Sequence, residues 1–146
     1  MRTFTLDDAI QLARRAHEGQ LDKSGRPYIA HPLRVMGYVS GEHERMTAVL
    51  HDVVEDTEVT LADLTSAGCP TEVVAAVEAI SRGPDEPQDS YLARVLANPL
   101  ALVVKRADIA DNLSPDRMAR LDPATQDRLR AKYEAALRTL GHPPSS

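Results

Sequence analysis

Apolar residues recur along most of this chain at the three- and four-residue spacing that is typical of amphipathic helices. The first such stripe runs from Leu6 to His17 and predicts a helix over residues 6–18. Thr5 precedes the stripe, and Asp8 follows Thr5 by three residues. This is the spacing of a capping box, which marks a helix start. No stretch alternates between apolar and polar residues as a half-buried strand would. The pattern therefore predicts an all-α fold.

Proline, glycine and polar clusters divide the rest of the chain into further predicted helices. The predicted helices cover about residues 32–39, 60–68, 71–82, 91–98, 100–113 and 124–140. A further central helix lies between the first two of these and ends in residues 51–57. The proline-rich, acidic residues 83–89 predict a mobile surface loop beside the active site, and Pro115 and Pro123 mark a short connection. We expect one domain over residues 1–140, a compact bundle of eight or nine helices, followed by a frayed tail over residues 141–146.

Composition narrows the classes of protein. The 146 residues include 22 acidic and 17 basic side chains, a net charge of −5, with only one Phe and four Tyr. A nucleic-acid surface needs cations and stacking aromatics, so this balance argues against one. The lone Cys69 has no disulfide partner and fits a reducing cytoplasm, and no apolar run suits a signal peptide or a membrane span. We expect a soluble intracellular protein, and a homo-oligomer remains open.

The stretch from His51 to Thr57 carries the densest chemistry in the chain, because it holds one imidazole and three carboxylates in six consecutive positions. On a continuous helix, His51 would stack with Glu55 and Asp52 with Asp56, since each pair is four residues apart. Carboxylates this close repel one another, and a divalent cation bound by imidazole nitrogen and carboxylate oxygen would offset that cost. An acidic helix end exposed to water is the alternative interpretation.

Two other segments offer polar groups for the same site. The loop over residues 19–32 contains Lys23 and Ser24, which suit a phosphate clamp, and ends with His31 at a helix entrance. A solvated turn would have the same composition. Asp108 and Asn112 share one face of a strongly apolar helix, where an ionised Asp is costly unless it is paired or bound to metal.

Each of these residues also has an ordinary structural interpretation. A salt bridge from Asp108 to Lys105 or Arg106 would satisfy the buried carboxylate without a metal ion. His17 lies on the inner face of the first helix, and we interpret it as a core histidine bonded to a neighbour rather than as a ligand.

Four motifs, taken together and in order, resemble those of a known family. They are Ala16-His-Glu-Gly-Gln20, Gly25-x-Pro-Tyr-Ile-x-His-Pro32, His51-Asp-Val-Val-Glu-Asp-Thr57 and Val104-Lys-x-Ala-Asp-x-x-x-Asn-Leu113. The chain resembles the HD-domain metal-dependent phosphohydrolases. More closely, it resembles the hydrolase domains of RelA/SpoT-type alarmone enzymes and the stand-alone small alarmone hydrolases.

The resemblance implies an activity and a role for each matching residue. The implied activity is hydrolysis of guanosine 3′,5′-bis(diphosphate), (p)ppGpp, to GDP or GTP and pyrophosphate. Glu55 and Asp56 match the acidic pair that orients or deprotonates the attacking water, and Asn112 matches a substrate-contacting asparagine. The family's ligands to one divalent ion, commonly manganese (Mn²⁺), fall on His31, His51, Asp52 and Asp108.

One position departs from the family pattern. The family usually places an Arg before the Ser-Gly turn to pack against guanine, and this chain has Asp22 followed by Lys23. Lys23 can still meet phosphate, whereas Asp22 offers no planar cation and would instead accept hydrogen bonds from the guanine base. This departure favours one alternative, hydrolysis of another phosphorylated nucleotide such as NADPH or a nucleoside monophosphate. The second alternative, from another class, is a metal-binding regulatory module that has lost catalysis. The intact ligands and acidic pair argue against the second.

Overall fold

The computed structural model describes residues 3–141, and within this range the amphipathic stretches fold as helices. The ten helices in this range are α1 (Leu6–Ala16), α2 (Ala30–Gly37), α3 (Glu42–Leu50), α4 (Val53–Asp56), α5 (Leu61–Ser66), α6 (Thr71–Ile80), α7 (Gln88–Leu96), α8 (Pro99–Asn112), α9 (Pro115–Met118) and α10 (Pro123–Leu140). The described residues contain no strand, only one isolated bridge between Leu21 and Pro27. The all-α prediction is confirmed. Two of the ten helices, α4 and α9, have only four residues each, which accounts for the difference from eight or nine.

Capping residues fix the helix starts that the sequence predicted. The Thr5 hydroxyl accepts a hydrogen bond from the Asp8 amide at 3.1 Å, and the Asp8 carboxylate accepts one from the Thr5 amide at 2.9 Å. Asn98 caps α8 by accepting from the Ala101 amide at 3.0 Å, and Pro99 occupies the first turn, where no N–H is needed. Local sequence therefore fixes where α8 begins, and with it the positions of the polar residues further along that helix.

Helix α3 is the centre of the fold and packs against α1, α2, α6 and α8. Five consecutive residues of α3, from Met46 to Leu50, are completely buried, because neighbours cover this helix on several sides. One apolar cluster lies between α1, α3, α5 and α6, and a second joins α2, α6, α7, α8 and α10. The packing brings the end of α3 against α2 and α8, which is where the candidate ligands lie.

The central helix is not continuous, contrary to the expected stacking of His51 on Glu55. Helix α3 ends at Leu50, His51 and Asp52 form a turn, and α4 begins at Val53. Asp52 has φ −101° and ψ −3°, in the bridge region where active-site residues are often found. In a regular helix, adjacent side chains point about 100° apart. The turn instead brings the His51 ring and the Asp52 carboxylate within 3.0 Å of each other.

The loop between α6 and α7 is held by hydrogen bonds, and it lies two residues earlier than predicted because α6 ends at Ile80 and α7 begins at Gln88. Arg82 donates to the Glu86 carbonyl at 3.0 Å and to the Gln88 side chain at 2.8 Å. Arg94 pairs with the Glu86 carboxylate and donates to the Ser81 carbonyl at 2.9 Å. Two guanidinium groups therefore fix a segment that composition alone predicted to be mobile.

The C-terminal end of α10 is tied to α8. The Arg106 Nε atom donates to the Leu140 carbonyl at 2.7 Å, and Gly141 follows in a left-handed conformation with φ 91°. The predicted frayed tail, residues 141–146, lies outside the described residues apart from Gly141. Among the helices within residues 3–141, none has the length and apolar character needed to cross a membrane.

Candidate metal centre

Three parts of the fold bring the four predicted ligands together. His31 lies on α2, His51 and Asp52 lie in the turn between α3 and α4, and Asp108 lies on α8. One ligand atom from each residue lies within 4.8 Å of all the others. The Asp108 Oδ1 atom is 2.8 Å from His31 Nε2 and 3.3 Å from His51 Nε2. The Asp52 Oδ2 atom is 3.0 Å from His51 Nε2 and 3.9 Å from His31 Nε2.

These separations fit a shared ion. Ligand atoms at about 2.0–2.2 Å from one divalent cation lie about 3 Å from their nearest neighbours in the coordination shell. Two imidazole nitrogens and two carboxylate oxygens, with no thiolate, form a donor set for a divalent ion rather than a structural Cys-rich zinc site. The residues present therefore fit a divalent metal ion.

Both imidazoles are held in the tautomer that metal binding requires. His51 Nδ1 is 2.6 Å from the Ala48 carbonyl oxygen, and His31 Nδ1 is 2.6 Å from Asp111 Oδ2. Carbonyl and carboxylate oxygens only accept, so the Nδ1 atom of each ring carries a proton and donates it. Once a metal ion displaces the proton from Nε2, each ring is neutral and presents the lone pair of Nε2 to that ion.

Asp111 is a buried site residue to which sequence analysis gave no role. It is 2% exposed and accepts from Arg34 Nε at 2.9 Å and from Arg117 Nη1 at 3.2 Å, besides orienting His31. The guanidinium of Arg117 also comes within 2.8 Å of His31 Nδ1, but that nitrogen already donates to Asp111. Asp111 lies three residues after Asp108, and this helical spacing is the signal in the sequence that could have found it.

Tyr28 is a second residue whose role sequence analysis missed. Its hydroxyl donates to Asp52 Oδ2 at 2.5 Å, the same oxygen that faces the His51 ring. The edge of the Tyr28 ring meets His31, and its other neighbour is the ring of His17 at 5.1 Å between centroids. His17 is buried and its Nδ1 atom bonds with the Gln20 side chain at 2.8 Å, as predicted for a core histidine.

The charges in the cluster stabilise one another. Burial alone would lower the pKa of His31 and His51, but hydrogen bonds to Asp108 and the nearby carboxylates outweigh burial and raise both pKa values. Burial would raise the pKa of Asp108, but the Lys105 ammonium and the two imidazoles hold it well below its usual range. Lys105 Nζ is 3.1 Å from Asp108 Oδ2, so the salt bridge considered from sequence forms alongside the ligand cluster.

The acidic pair lies at the surface beside this cluster, on the single turn α4. Burial of the carboxyl groups, and next the negative charge of Asp52, raise the pKa of Glu55 and of Asp56. The Glu55 carboxylate is also 3.4 Å from the backbone amide of Arg82. A raised pKa makes each carboxylate a stronger base toward a water molecule in the site.

Three of the four candidate ligands, His31, Asp52 and Asp108, line one open cavity of about 390 Å³ together with the acidic pair. All four predicted substrate residues line it too, namely Asp22, Lys23, Ser24 and Asn112. Asp22 Oδ1 accepts from the Ser24 amide at 2.9 Å, the Ser24 hydroxyl at 2.8 Å and the Arg26 amide at 3.0 Å. Asp22 therefore fixes the turn of its own loop. Asn112 donates to Asp108 at 3.2 Å and accepts from Arg117 at 2.7 Å.

Comparison with known proteins gives both family and fold. The family profile of the HD domain matches residues 9–95, a span that includes His31, His51 and Asp52. A solved structure, described as a metazoan ortholog of SpoT that hydrolyzes ppGpp, superimposes with a TM-score of 0.81 at 20% identity. The alignment covers 99% of this chain and 90% of that one. At this identity the likeness shows a shared fold.

Curated relatives match parts of the chain. The guanosine-3′,5′-bis(diphosphate) 3′-pyrophosphohydrolase of Haemophilus influenzae is 51% identical over 53 residues, 34% of this chain and 8% of that protein. The bifunctional (p)ppGpp synthase/hydrolase SpoT of Escherichia coli K12 is 46% identical over 63 residues, 40% of this chain and 9% of that protein. A GTP pyrophosphokinase of Streptomyces coelicolor is 33% identical over 120 residues, 74% of this chain and 14% of that protein. The chain thus spans only 8% to 14% of the length of these relatives.

The ligand assignment predicts which substitutions abolish metal binding. We expect His51→Ala and Asp108→Ala each to lose a divalent ion, with Mn²⁺ as the probe, because each removes a donor atom and leaves an unpaired partner. His43→Ala is the matched control, since His43 is 44% exposed and lies outside the cluster. Metal content after dialysis is the measurement. Wild-type Mn²⁺ content in both site variants would show that the assignment is wrong.

The raised pKa values of His31 and His51 predict the sign of the pH dependence. A metal ion must displace protons from these rings, so its affinity should rise with pH through their raised pKa values and fall on acidification. Titration calorimetry in two buffers of different ionisation enthalpy should show up to about two protons released per ion bound. An affinity that is independent of pH would contradict the protonated, carboxylate-paired state of the metal-free cluster.

Proposed function

The chain belongs to the HD-domain family, and we propose that it is a metal-dependent hydrolase of guanosine 3′,5′-bis(diphosphate) and its triphosphate counterpart, (p)ppGpp. The products are pyrophosphate and GDP or GTP. The observation that carries the proposal is a cluster of four candidate metal ligands beside one cavity, whose wall includes three of them and both acidic side chains. The relatives from H. influenzae and E. coli support this substrate by the activities that their names state.

We propose Mn²⁺ as the ion, one per chain, held by His31, His51, Asp52 and Asp108. When bound, such an ion lowers the pKa of a coordinated water and polarises a phosphoryl oxygen. The protein supplies the orientation: Asp111 fixes the ring of His31, the Ala48 carbonyl fixes that of His51, and Tyr28 holds the Asp52 carboxylate.

Glu55 and Asp56 are the proton acceptors in this mechanism. The water oxygen forms a bond to the phosphorus that carries the 3′ oxygen, the bond from phosphorus to the 3′ oxygen breaks, and that oxygen takes up a proton from solvent water. The proton that the water loses goes to one of the two carboxylates, whose raised pKa values suit general-base catalysis. No covalent intermediate with the protein is required.

The cations and polar groups of the cavity bind the rest of the substrate. Lys23 meets phosphate as a point charge, and Asn112, held next to Asp108, contacts the nucleotide near the reacting group. Asp22 uses Oδ1 to fix its own turn, and its carboxylate accepts hydrogen bonds from the N1–H and the exocyclic amine of guanine. Ser24, whose hydroxyl donates to Asp22, holds the loop in this arrangement.

A second candidate function rests on the same departure at Asp22. Without a planar cation to pack against guanine, the cavity would accept another phosphorylated nucleotide, such as NADPH or a nucleoside monophosphate, with the same metal centre and acidic pair. A regulatory module without catalysis is the less favoured alternative, because Glu55 and Asp56 both line the cavity beside the ligands. We place the protein in the cytoplasm, where the buried Cys69 stays reduced.

The mechanism predicts that metal binding and catalysis separate at Glu55. Glu55→Gln keeps the shape of the side chain but removes the base, so we expect wild-type metal content and a kcat lowered about 10²- to 10⁴-fold. Glu58→Gln is the matched control, because Glu58 is an exposed glutamate just beyond α4. Steady-state kinetics and metal analysis of the same preparations are the measurements. An unchanged kcat in Glu55→Gln would exclude Glu55 as the base.

The substrate is tested by incubating Mn²⁺-loaded protein with a panel of phosphorylated nucleotides and identifying the products. We expect pyrophosphate and GDP from guanosine 3′,5′-bis(diphosphate). Asp22→Asn retains the oxygen that fixes the turn but loses the charge, so it should raise KM for the guanosine compound and not for an adenosine analogue. Lys23→Ala should raise KM for both. Release of no pyrophosphate, with ready hydrolysis of another nucleotide, would favour the second candidate function.

A further inference from the structure

Arg117 lies beside the metal centre although no sequence motif pointed to it. It belongs to α9, a four-residue helix in the segment that sequence analysis predicted as a plain connection. Its side chain is 18% exposed, and it lines the same cavity as three of the candidate ligands and the acidic pair. An arginine that is mostly buried and still faces a cavity has limited freedom to move away from a ligand there.

One nitrogen of the Arg117 guanidinium makes all of its contacts with the protein. Nη1 donates to Asn112 Oδ1 at 2.7 Å and to Asp111 Oδ2 at 3.2 Å. Within residues 3–141, neither Nε nor Nη2 has a hydrogen-bond acceptor. Nε and Nη2 form one edge of the planar group, the edge with which an arginine makes two parallel hydrogen bonds to a phosphate or carboxylate. The group is therefore fixed on one side and has free donors on the other.

The other cationic side chains near the cluster differ from Arg117 in their ion pairs, their exposure or their position relative to the cavity. Lys105 forms an ion pair with Asp108 at 3.1 Å, which neutralises its charge locally. Lys23 is exposed, on the loop that carries Asp22. Arg34 binds the same carboxylate as Arg117, the Asp111 side chain, but it is 41% exposed and does not line the cavity. Among these four cations of residues 3–141, Arg117 is the one that combines a fixed position beside the ligands with two donor atoms that have no hydrogen-bond acceptor.

We propose that Arg117 is a phosphate-binding residue that holds the reacting phosphoryl group through Nε and Nη2. The ligand class is a phosphate or diphosphate group with two unesterified oxygens within reach of that edge. The inference rests on the proposed function in assigning a phosphorylated substrate to this cavity. Because Nη1 is tied to Asn112 and to the carboxylate that orients His31, the phosphate contact and the metal ligand are held in one fixed relation.

Binding of inorganic phosphate to Mn²⁺-loaded protein, measured by titration calorimetry, tests the proposal without assuming a particular nucleotide. Arg117→Gln should weaken phosphate binding about 10- to 100-fold, the scale of a lost charge-assisted pair of hydrogen bonds. Arg117→Lys keeps the charge but not the bidentate edge, so its affinity should fall between those of wild type and Arg117→Gln. Metal content should equal that of wild type in both variants.

Arg34→Gln is the matched control, since it removes the other guanidinium on Asp111. The proposal expects its phosphate affinity to stay at the wild-type value. Equal weakening in Arg34→Gln and Arg117→Gln would show that both arginines act only by positioning Asp111 and His31, and would overturn the proposal. The same conclusion follows if wild type binds no phosphate, if both Arg117 variants bind it as wild type does, or if phosphate affinity falls only in step with metal content.

The failure of this inference is distinguishable from the failure of the proposed function. An Arg117-dependent phosphate affinity, in a protein that releases no pyrophosphate from guanosine 3′,5′-bis(diphosphate), would support the phosphate site and reject the substrate. Pyrophosphate release with an unchanged KM in Arg117→Gln would support the substrate and reject the role of Arg117.

Discussion

The structure depends on keeping two imidazoles and two carboxylates close together in the interior. His31, His51 and Asp108 are each at most 6% exposed, and desolvating an unpaired charge at such a position would cost several kcal/mol. The cluster avoids this cost in two ways. Without metal, protonated rings pair with the carboxylates; with metal, the ion takes the place of those protons. Both states need the same close contacts, so the packing of α2, α3 and α8 that makes those contacts is also the condition for function.

The interrupted helix after Leu50 follows from that requirement. A regular helix would separate the side chains of His51 and Asp52, whereas the turn lets neighbouring residues supply two ligand atoms 3.0 Å apart. The turn also leaves α4 as a short helix whose exposed residues Glu55 and Asp56 lie on the wall of the cavity. Ligands and proposed bases therefore come from one continuous segment but have different solvent exposure, which suits one pair to bind metal and the other to exchange protons with water.

The sequence predicted what depends on local spacing. The helices and the capping box at Thr5 follow from periodicity and side-chain chemistry. The resemblance of the motifs implied the four candidate ligands, which the fold brings together. The sequence did not predict contacts between segments that are distant along the chain. The two residues of such a contact are 24 positions apart for Tyr28 and Asp52, 80 for His31 and Asp111, and 86 for His31 and Arg117. Helix α9 was also missed, because four residues are too few to show a helical period.

The site has a buried part, which contains the candidate metal ligands, and an exposed part, the loop that carries Asp22. This division explains how the loop can depart from the family pattern while all four candidate ligands are present. His31, Asp108 and Asp111 are linked by hydrogen bonds that leave little room for substitution, since changing one group leaves another unpaired. Asp22 binds only the backbone and side chains of its own turn, which lies at the surface. A change at position 22 therefore leaves the hydrogen bonds of the buried cluster intact. Under the proposed function, the loop would set the choice of nucleotide and the buried cluster the hydrolytic chemistry, so the two would be physically separable.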